Sequence, residues 1–281
     1  MHKLIITADD YGMSKAVNKA IDSGIEAGLI TATNVMTNMP YYNEAKKIID
    51  DKSASVGMHW VLTCGQPVLP KEEIPTLVAP NGEFYDYPDF RNRYRKHMID
   101  DDEIKKELIA QYNLFIEHVG VPDYWNTHQN FHVDFGIYAK IIQLAKELGI
   151  TRMRSHQRIY VPASDDTDLM PLSWRLIEPI KSRMLNVWQG NAHKKGMRSP
   201  DGLIVNMNRS DVYRLDYTFN HINWEHNTIG EYVIHPATEA DSPYFGEIVE
   251  RRIWEYKSFS SDETRRTIHN ADLILVNYSD I

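Results

Sequence analysis

Residues 4–21 read LIITADDYGMSKAVNKAI. Residues 4–8 form an apolar run suited to a strand buried on both faces. Ser14 then stands where a helix N-cap belongs, and Ala16, Val17, Ala20, Ile21 and Ile25 recur at intervals of three and four until Gly28 closes the pattern. A buried strand feeding an amphipathic helix is the repeating unit of α/β folds. Between the two stand adjacent carboxylates, Asp9 and Asp10. What these like charges face is the question the rest of the chain answers.

Working outward, the pattern predicts a strand at 29–36 with a helix at 41–51, then a strand at 55–61. From 66 to 89 the chain is rich in proline and polar residues, a candidate active-site loop within an insertion near 66–98. Ile104, Leu108, Tyr112, Phe115, Ile116 and Val119 place one apolar helical face over 101–119, followed by a short strand at 123–127. A helix at 134–148 ends at Gly149 and leads into a strand at 150–154. A helix at 171–188, strands near 202–206 and 231–235, a helix at 246–258 and a last helix and strand within 262–278 complete the reading. Seven or eight alternations without a composition break predict one α/β domain over residues 1–281 with a mostly parallel sheet.

With 42% hydrophobic and 25% charged residues, the chain has an ordinary globular composition. A formal charge of −8 argues against a nucleic-acid partner, which calls for clustered Lys and Arg. No apolar run approaches the ~20 residues of a membrane span, and the first residues lack signal-peptide character. A cytoplasmic protein is therefore expected, in keeping with a single cysteine, Cys64, that can form no internal disulfide. Cys64 with nearby His59 is a disfavoured nucleophile–base pair.

Chemistry in such folds collects at the carboxyl ends of the strands. Asp9 and Asp10 end the first predicted strand, His59 falls late in the third, His128 follows the fourth, Arg154 ends the fifth and His235 ends a late one. His97, His118 and His269 fall instead in helices or loops. Asp10, His59 and His128 make a two-imidazole, one-carboxylate set suited to a divalent ion such as Zn, Mn or Fe, with positions left for water or substrate. Each histidine alone reads more readily as a hydrogen-bonded core or rim residue; together, at matching strand ends, they favour the metal.

In NTHQNFHVD, His132 follows His128 by four residues, so both can address one side. His132 has three open readings: ligand, orienter of a ligand, or substrate contact. On an extended backbone Asp9 and Asp10 point to opposite faces unless the chain turns, and Gly12 signals a turn. One carboxylate then holds the ion and the other serves as base, with helix capping as the alternative for both. His235, before Pro236, is placed to protonate a leaving amine or to hydrogen-bond substrate. Arg154 is either a surface charge or the partner of a carboxylate such as Asp9. Tyr11, Trp60 and Trp125 near these motifs read as sugar-stacking faces or as core packing.

ADDYG at 8–12, GMHW at 57–60, THQNFH at 127–132, EYVIHPA at 231–237 and the closing ILVNYSDI together resemble the YdjC-like carbohydrate deacetylases, which include the chitooligosaccharide deacetylases. The resemblance implies a distorted (β/α) barrel of about seven βα units, polysaccharide-deacetylase-like, in a homodimer that removes acetyl groups from N-acetylated sugars or oligosaccharides. It implies Asp9 as base, Asp10, His59 and His128 on the metal, His235 as the late histidine, and magnesium as the ion. By ligand chemistry two imidazoles prefer a softer ion. The pattern departs at Asn126, Thr127, His128 and Gln129, where close relatives often read Asp-Ser-His-His, and 155–230 matches poorly. The rival readings are a metal-dependent hydrolase of another ester, amide or phosphoester bond, and a non-catalytic sugar-binding protein.

Overall fold

The computed structural model describes residues 2–134, 136–224 and 229–281. Its elements run β1 (His2–Tyr11), α1 (Lys15–Glu26), β2 (Ala32–Val35), α2 (Lys46–Asp51), β3 (Ser55–Trp60), α3 (Tyr87–Arg95), α4 (Asp101–His118) and β4 (Trp125–Thr127). They continue with α5 (Tyr138–Glu147), β5 (Arg158–Val161), α6 (Leu172–Lys194), β6 (Gly202–Asn206), α7 (Leu215–Asn220), β7 (Ile229–Ile234), α8 (Val249–Ser258), α9 (Asp262–Asn270) and β8 (Leu273–Leu275).

The strands pair in the order β4-β3-β2-β1-β7-β6-β5, all parallel, with β8 added to the first residues of β1. Because β1 has a neighbour on each side and helices beyond, its residues 4–11 are all buried, which is why it reads as a continuous apolar run. The segment 151–154 lies beside the end strand β4 and bridges it to Arg198. Trp125 N of β4 donates to Arg152 O and Trp125 O accepts from Arg154 N, each at 3.1 Å, and Met153 N donates to Arg198 O at 2.9 Å. The sheet therefore curls into a distorted (β/α) barrel with an irregular seam.

That seam corrects the strand expected at 150–154. The segment makes only isolated bridges, and the regular strand β5 comes later, at 158–161. Gln189 Oε1 accepts from the backbone nitrogens of His156, at 2.6 Å, and Gln157, at 3.1 Å, drawing the chain out of the ladder between the two stretches. The expected helix 134–148 begins only at Tyr138 and includes Phe135, which lies outside the described residues.

The insertion at 66–98 is not plain loop. Asp86 caps α3 by accepting from Asp89 N, with Pro88 in the first turn. Two buried acids of α4 fasten the rest: Glu107 accepts from Val68 N and Leu69 N at 2.9 and 3.0 Å, and Glu103 accepts from Thr76 N at 2.8 Å. Tyr11, Trp60 and Trp125 are fully buried. They pack the core rather than a sugar, with the two indoles 5.5 Å apart.

Candidate metal centre

The end of β1 answers the opening question by breaking its own alternation. Asp10 has φ 74°, and the register against β2 slips between Ala8 and Tyr11. Such a bulge re-aims side chains at a barrel rim, and it brings both carboxylates to one pocket. A left-handed aspartate is costly by itself. Salt bridges repay that cost here: Arg252 Nη2 of α8 lies 2.6 Å from Asp10 Oδ2. Gly12 completes the turn at φ 99°, where a Cβ would meet Tyr42 Cα at 2.9 Å.

Two side chains converge on the other oxygen of Asp10, Oδ1. His59 Nε2, from the inward face of β3, lies 3.4 Å from Oδ1, and His128 Nδ1, from the turn after β4, lies 3.2 Å from it. Asp10 Oδ1 and His59 Nε2 are buried and make no aligned hydrogen bond. Candidate ligand atoms of Asp10, His59 and His128 all lie within 4.8 Å of one another. Ligands about 2.1 Å from a shared ion stand about 3 Å apart when adjacent, so the set fits a divalent cation bound through two nitrogens and one oxygen. Burial opposes ionisation of Asp10, but Arg252, His128 and His59 hold its carboxyl well below the usual range. Burial also opposes a charge on His128, yet Asp10 and the neighbouring Cys64 thiol raise it to about 9.

Asp9 is held separately. Arg154 grips it with both terminal nitrogens, at 2.8 and 2.7 Å, and Asn34 Nδ2 donates to it at 2.5 Å. Burial would raise its pKa, but Arg154, His59 and His235 bring it down to about 2. Arg154 is no surface charge: it is buried and also meets Glu231 Oε1 at 3.1 Å. His235 Nε2 lies 3.8 Å from Asp9 Oδ2, with the ring partly open to solvent. Burial pushes His235 down to about 4, with Asp10 and Asp9 opposing and Arg252 and Arg251 assisting.

His132 lies apart from the three-residue group. Gln129 and Asn130 take left-handed conformations after His128, so the spacing of four does not place both rings on one side. His132 Nδ1 instead pairs with Thr127 Oγ1 at 2.5 Å and its Nε2 with His156 Nε2 at 3.3 Å. The sequence reading missed Arg252, Glu231, Asn34 and Glu255, the last accepting from His235 N at 2.6 Å. Glu231 had a usable signal, a charge inside an apolar strand; Arg252 sits in a helix rich in charges and had none.

A seven-stranded βα barrel with an aspartate and two histidines at its carboxyl end defines the class. The sequence model of the YdjC-like protein family matches residues 3–270, and the chain belongs to that family. A carbohydrate deacetylase of Halalkalibacterium halodurans is 33% identical over 149 residues, covering 52% of this chain and 60% of that protein. A chitooligosaccharide deacetylase of Proteus mirabilis is 31% identical over 148 residues, covering 52% and 56%. The matched part thus spans less than two thirds of these relatives. A crystal structure from Enterococcus faecalis V583, named for a proposed cellobiose-phosphate cleavage activity, has a TM-score of 0.74 at 23% identity, covering 99% of this chain and 98% of that one. That likeness speaks to the fold.

Proposed function

We propose that this chain removes acetyl groups from N-acetylated sugars, using one divalent ion held by Asp10, His59 and His128. The observation that carries the reading is the convergence of two buried atoms without aligned partners, Asp10 Oδ1 and His59 Nε2, beside His128. The names of the deacetylase relatives supply the substrate class. Such an ion, when bound, polarises a carbonyl and lowers the pKa of water, for zinc from 15.7 to about 7.

Asp9 is the base in this reading. Its two-pronged grip by Arg154 keeps it ionised and aimed, but a carboxyl at about 2 is a weak base. A weak base favours zinc, manganese or iron over magnesium, because the ion then does more to acidify water. His235 is neutral at neutral pH and starts the reaction without a proton to give. The proton that Asp9 takes from water passes to His235 Nε2, 3.8 Å away, and from there to the departing amine. The carbon–nitrogen bond breaks with that proton on nitrogen, giving a neutral amine and acetic acid; the acid's remaining proton, the second from the water, then passes to the amine, leaving acetate and an ammonium sugar.

A groove of 950 Å³ lined by Lys15, Asn38, Tyr41, Gln66 and Tyr244 offers room for a sugar beside this end of the barrel. The test is acetate release from N-acetylglucosamine oligomers. Chelation should abolish it and added zinc or manganese should restore it. Phosphate release from a phosphorylated disaccharide in place of acetate would assign the site to phosphoester hydrolysis. Ion binding with neither product would leave a sugar-binding protein.

A further inference from the structure

Behind His59 lies a side chain whose two ends want the same thing. Asn126 neighbours His59 across the β3–β4 ladder and is fully buried. One end of its carboxamide is 2.5 Å from His59 Nδ1; the other is 2.7 and 3.0 Å from the terminal nitrogens of Arg154 and 2.9 Å from Asn34 Nδ2. Arg154 has no acceptor to offer, and Asn34 presents its NH2. Both are pinned where they stand by Asp9. The orientation that satisfies these donors turns the Asn126 oxygen toward them and its NH2 toward His59 Nδ1.

That orientation fixes the imidazole. An NH2 group at 2.5 Å makes Nδ1 an acceptor, so neutral His59 carries its hydrogen on Nε2, the atom facing Asp10 Oδ1 at 3.4 Å. Holding an ion through Nε2 needs the opposite tautomer, with the hydrogen on Nδ1 and an acceptor behind it. A carboxylate at position 126 would accept at both ends, whereas a carboxamide accepts at one. If Asn126 turns its oxygen to His59, its NH2 faces the Arg154 guanidinium instead.

We infer that Asn126 is a positioning residue that holds ion-free His59 in the Nε2–H tautomer and thereby loosens the grip of the site on a divalent ion. The inference rests on the metal reading above. It makes ion uptake a coupled event: the cation binds as the carboxamide rotates and the imidazole hydrogen changes nitrogen. The ion is then held more weakly than the same three ligands would hold it with an acid behind His59.

The experiment is two-bond ¹H–¹⁵N correlation spectroscopy of ¹⁵N-histidine-labelled, ion-free protein, with zinc and manganese affinities measured separately by competition with a chelating dye. Wild type should show His59 protonated on Nε2 and change to Nδ1 on zinc binding. Asn126→Asp should show Nδ1–H before any ion is added and bind each ion about 10- to 100-fold more tightly. An Nδ1–H tautomer in the ion-free wild type overturns the inference, and that measurement needs no variant to fold. So does an Asn126→Asp affinity within about threefold of wild type. Absence of ion binding in both proteins, with Nε2–H still seen, overturns the metal reading and leaves the tautomer assignment intact.

Discussion

Two pairs of buried histidines stand near one another at the same end of the barrel, and their surroundings treat them oppositely. His59 and His128 share the carboxylate of Asp10, and His128 is raised to about 9 against the effect of its burial. Among the described residues, His132 and His156 meet each other, Thr127 and aromatic rings, with Arg154 and Arg158 nearby. Burial, mutual repulsion and the guanidinium charges push His132 well below its ordinary value, and burial with Arg158 and Arg154 brings His156 to about 3. A neighbouring acid, with the Cys64 thiol, makes buried His128 welcome positive charge, while His132 and His156, without an acid beside them among the described residues, shun it.

The comparison breaks most visibly at that acid. Asp10→Ala should abolish measurable zinc binding in equilibrium dialysis, and it leaves Arg252 buried without its partner. Removing one member of a buried pair costs about 3–5 kcal/mol, so urea unfolding should show a loss of that order. His132→Phe should leave the zinc affinity unchanged, because its ring lies outside the ligand group. If His132→Phe lost the ion as thoroughly as Asp10→Ala, the two pairs would not be separate.

A second break concerns turnover rather than binding. Asp9→Asn should lower acetate release about 10²- to 10⁴-fold, the range for loss of a general base, while zinc affinity stays near that of wild type. Circular dichroism checks that the variant folds. Unchanged turnover would remove Asp9 from the chemistry.

Why some of this was legible in the sequence follows from where each interaction lives. The strand-to-helix reading of 4–28 held because local pattern and burial agree: a central parallel strand is apolar throughout, and Ser14 accepts from Val17 N as an N-cap should. Asp10, His59 and His128 were legible because each ends a strand, and parallel strands deliver their ends to one place. Arg252 and Glu255 were not, since their importance comes from partners distant in sequence. The strand at 150–154 was misplaced because Gln189, more than thirty residues on, competes for the backbone. The spacing of His128 and His132 misled because Gln129 and Asn130 adopt left-handed conformations that no helical or strand period describes.

The neutral pair should also mark the acid stability of the ion-free protein. His156 titrates near 6.5 when unfolded but at about 3 when folded. Between those values the unfolded chain holds the extra proton, so stability is full above about 6.5 and falls as the pH drops toward 3. Each such group contributes a slope of about 1.4 kcal/mol per pH unit. His132 adds a second slope of the same sign beginning at the same upper limit. Urea midpoints taken at pH 7 and 5.5 with chelator present should show the loss, and His156→Gln should reduce it. A flat profile would mean the pair accepts protons while folded.

The smallest effect belongs to the hydroxyl that holds the neutral pair in place. Thr127 Oγ1 is the partner of His132 Nδ1, and the residue sits between Asn126 and the candidate ligand His128. Thr127→Val keeps the β-branched shape that suits the end of β4 but strands one buried ring nitrogen. An unpaired buried polar atom costs about 1–3 kcal/mol, so the urea midpoint should fall modestly. If the two histidine pairs are separate, zinc affinity and acetate release should stay within about twofold of wild type, since the backbone carrying His128 is unchanged. A large loss of zinc binding without loss of stability would show instead that the Thr127–His132 contact sets the direction of His128. The neutral pair would then be part of the scaffold of the metal site rather than its contrast.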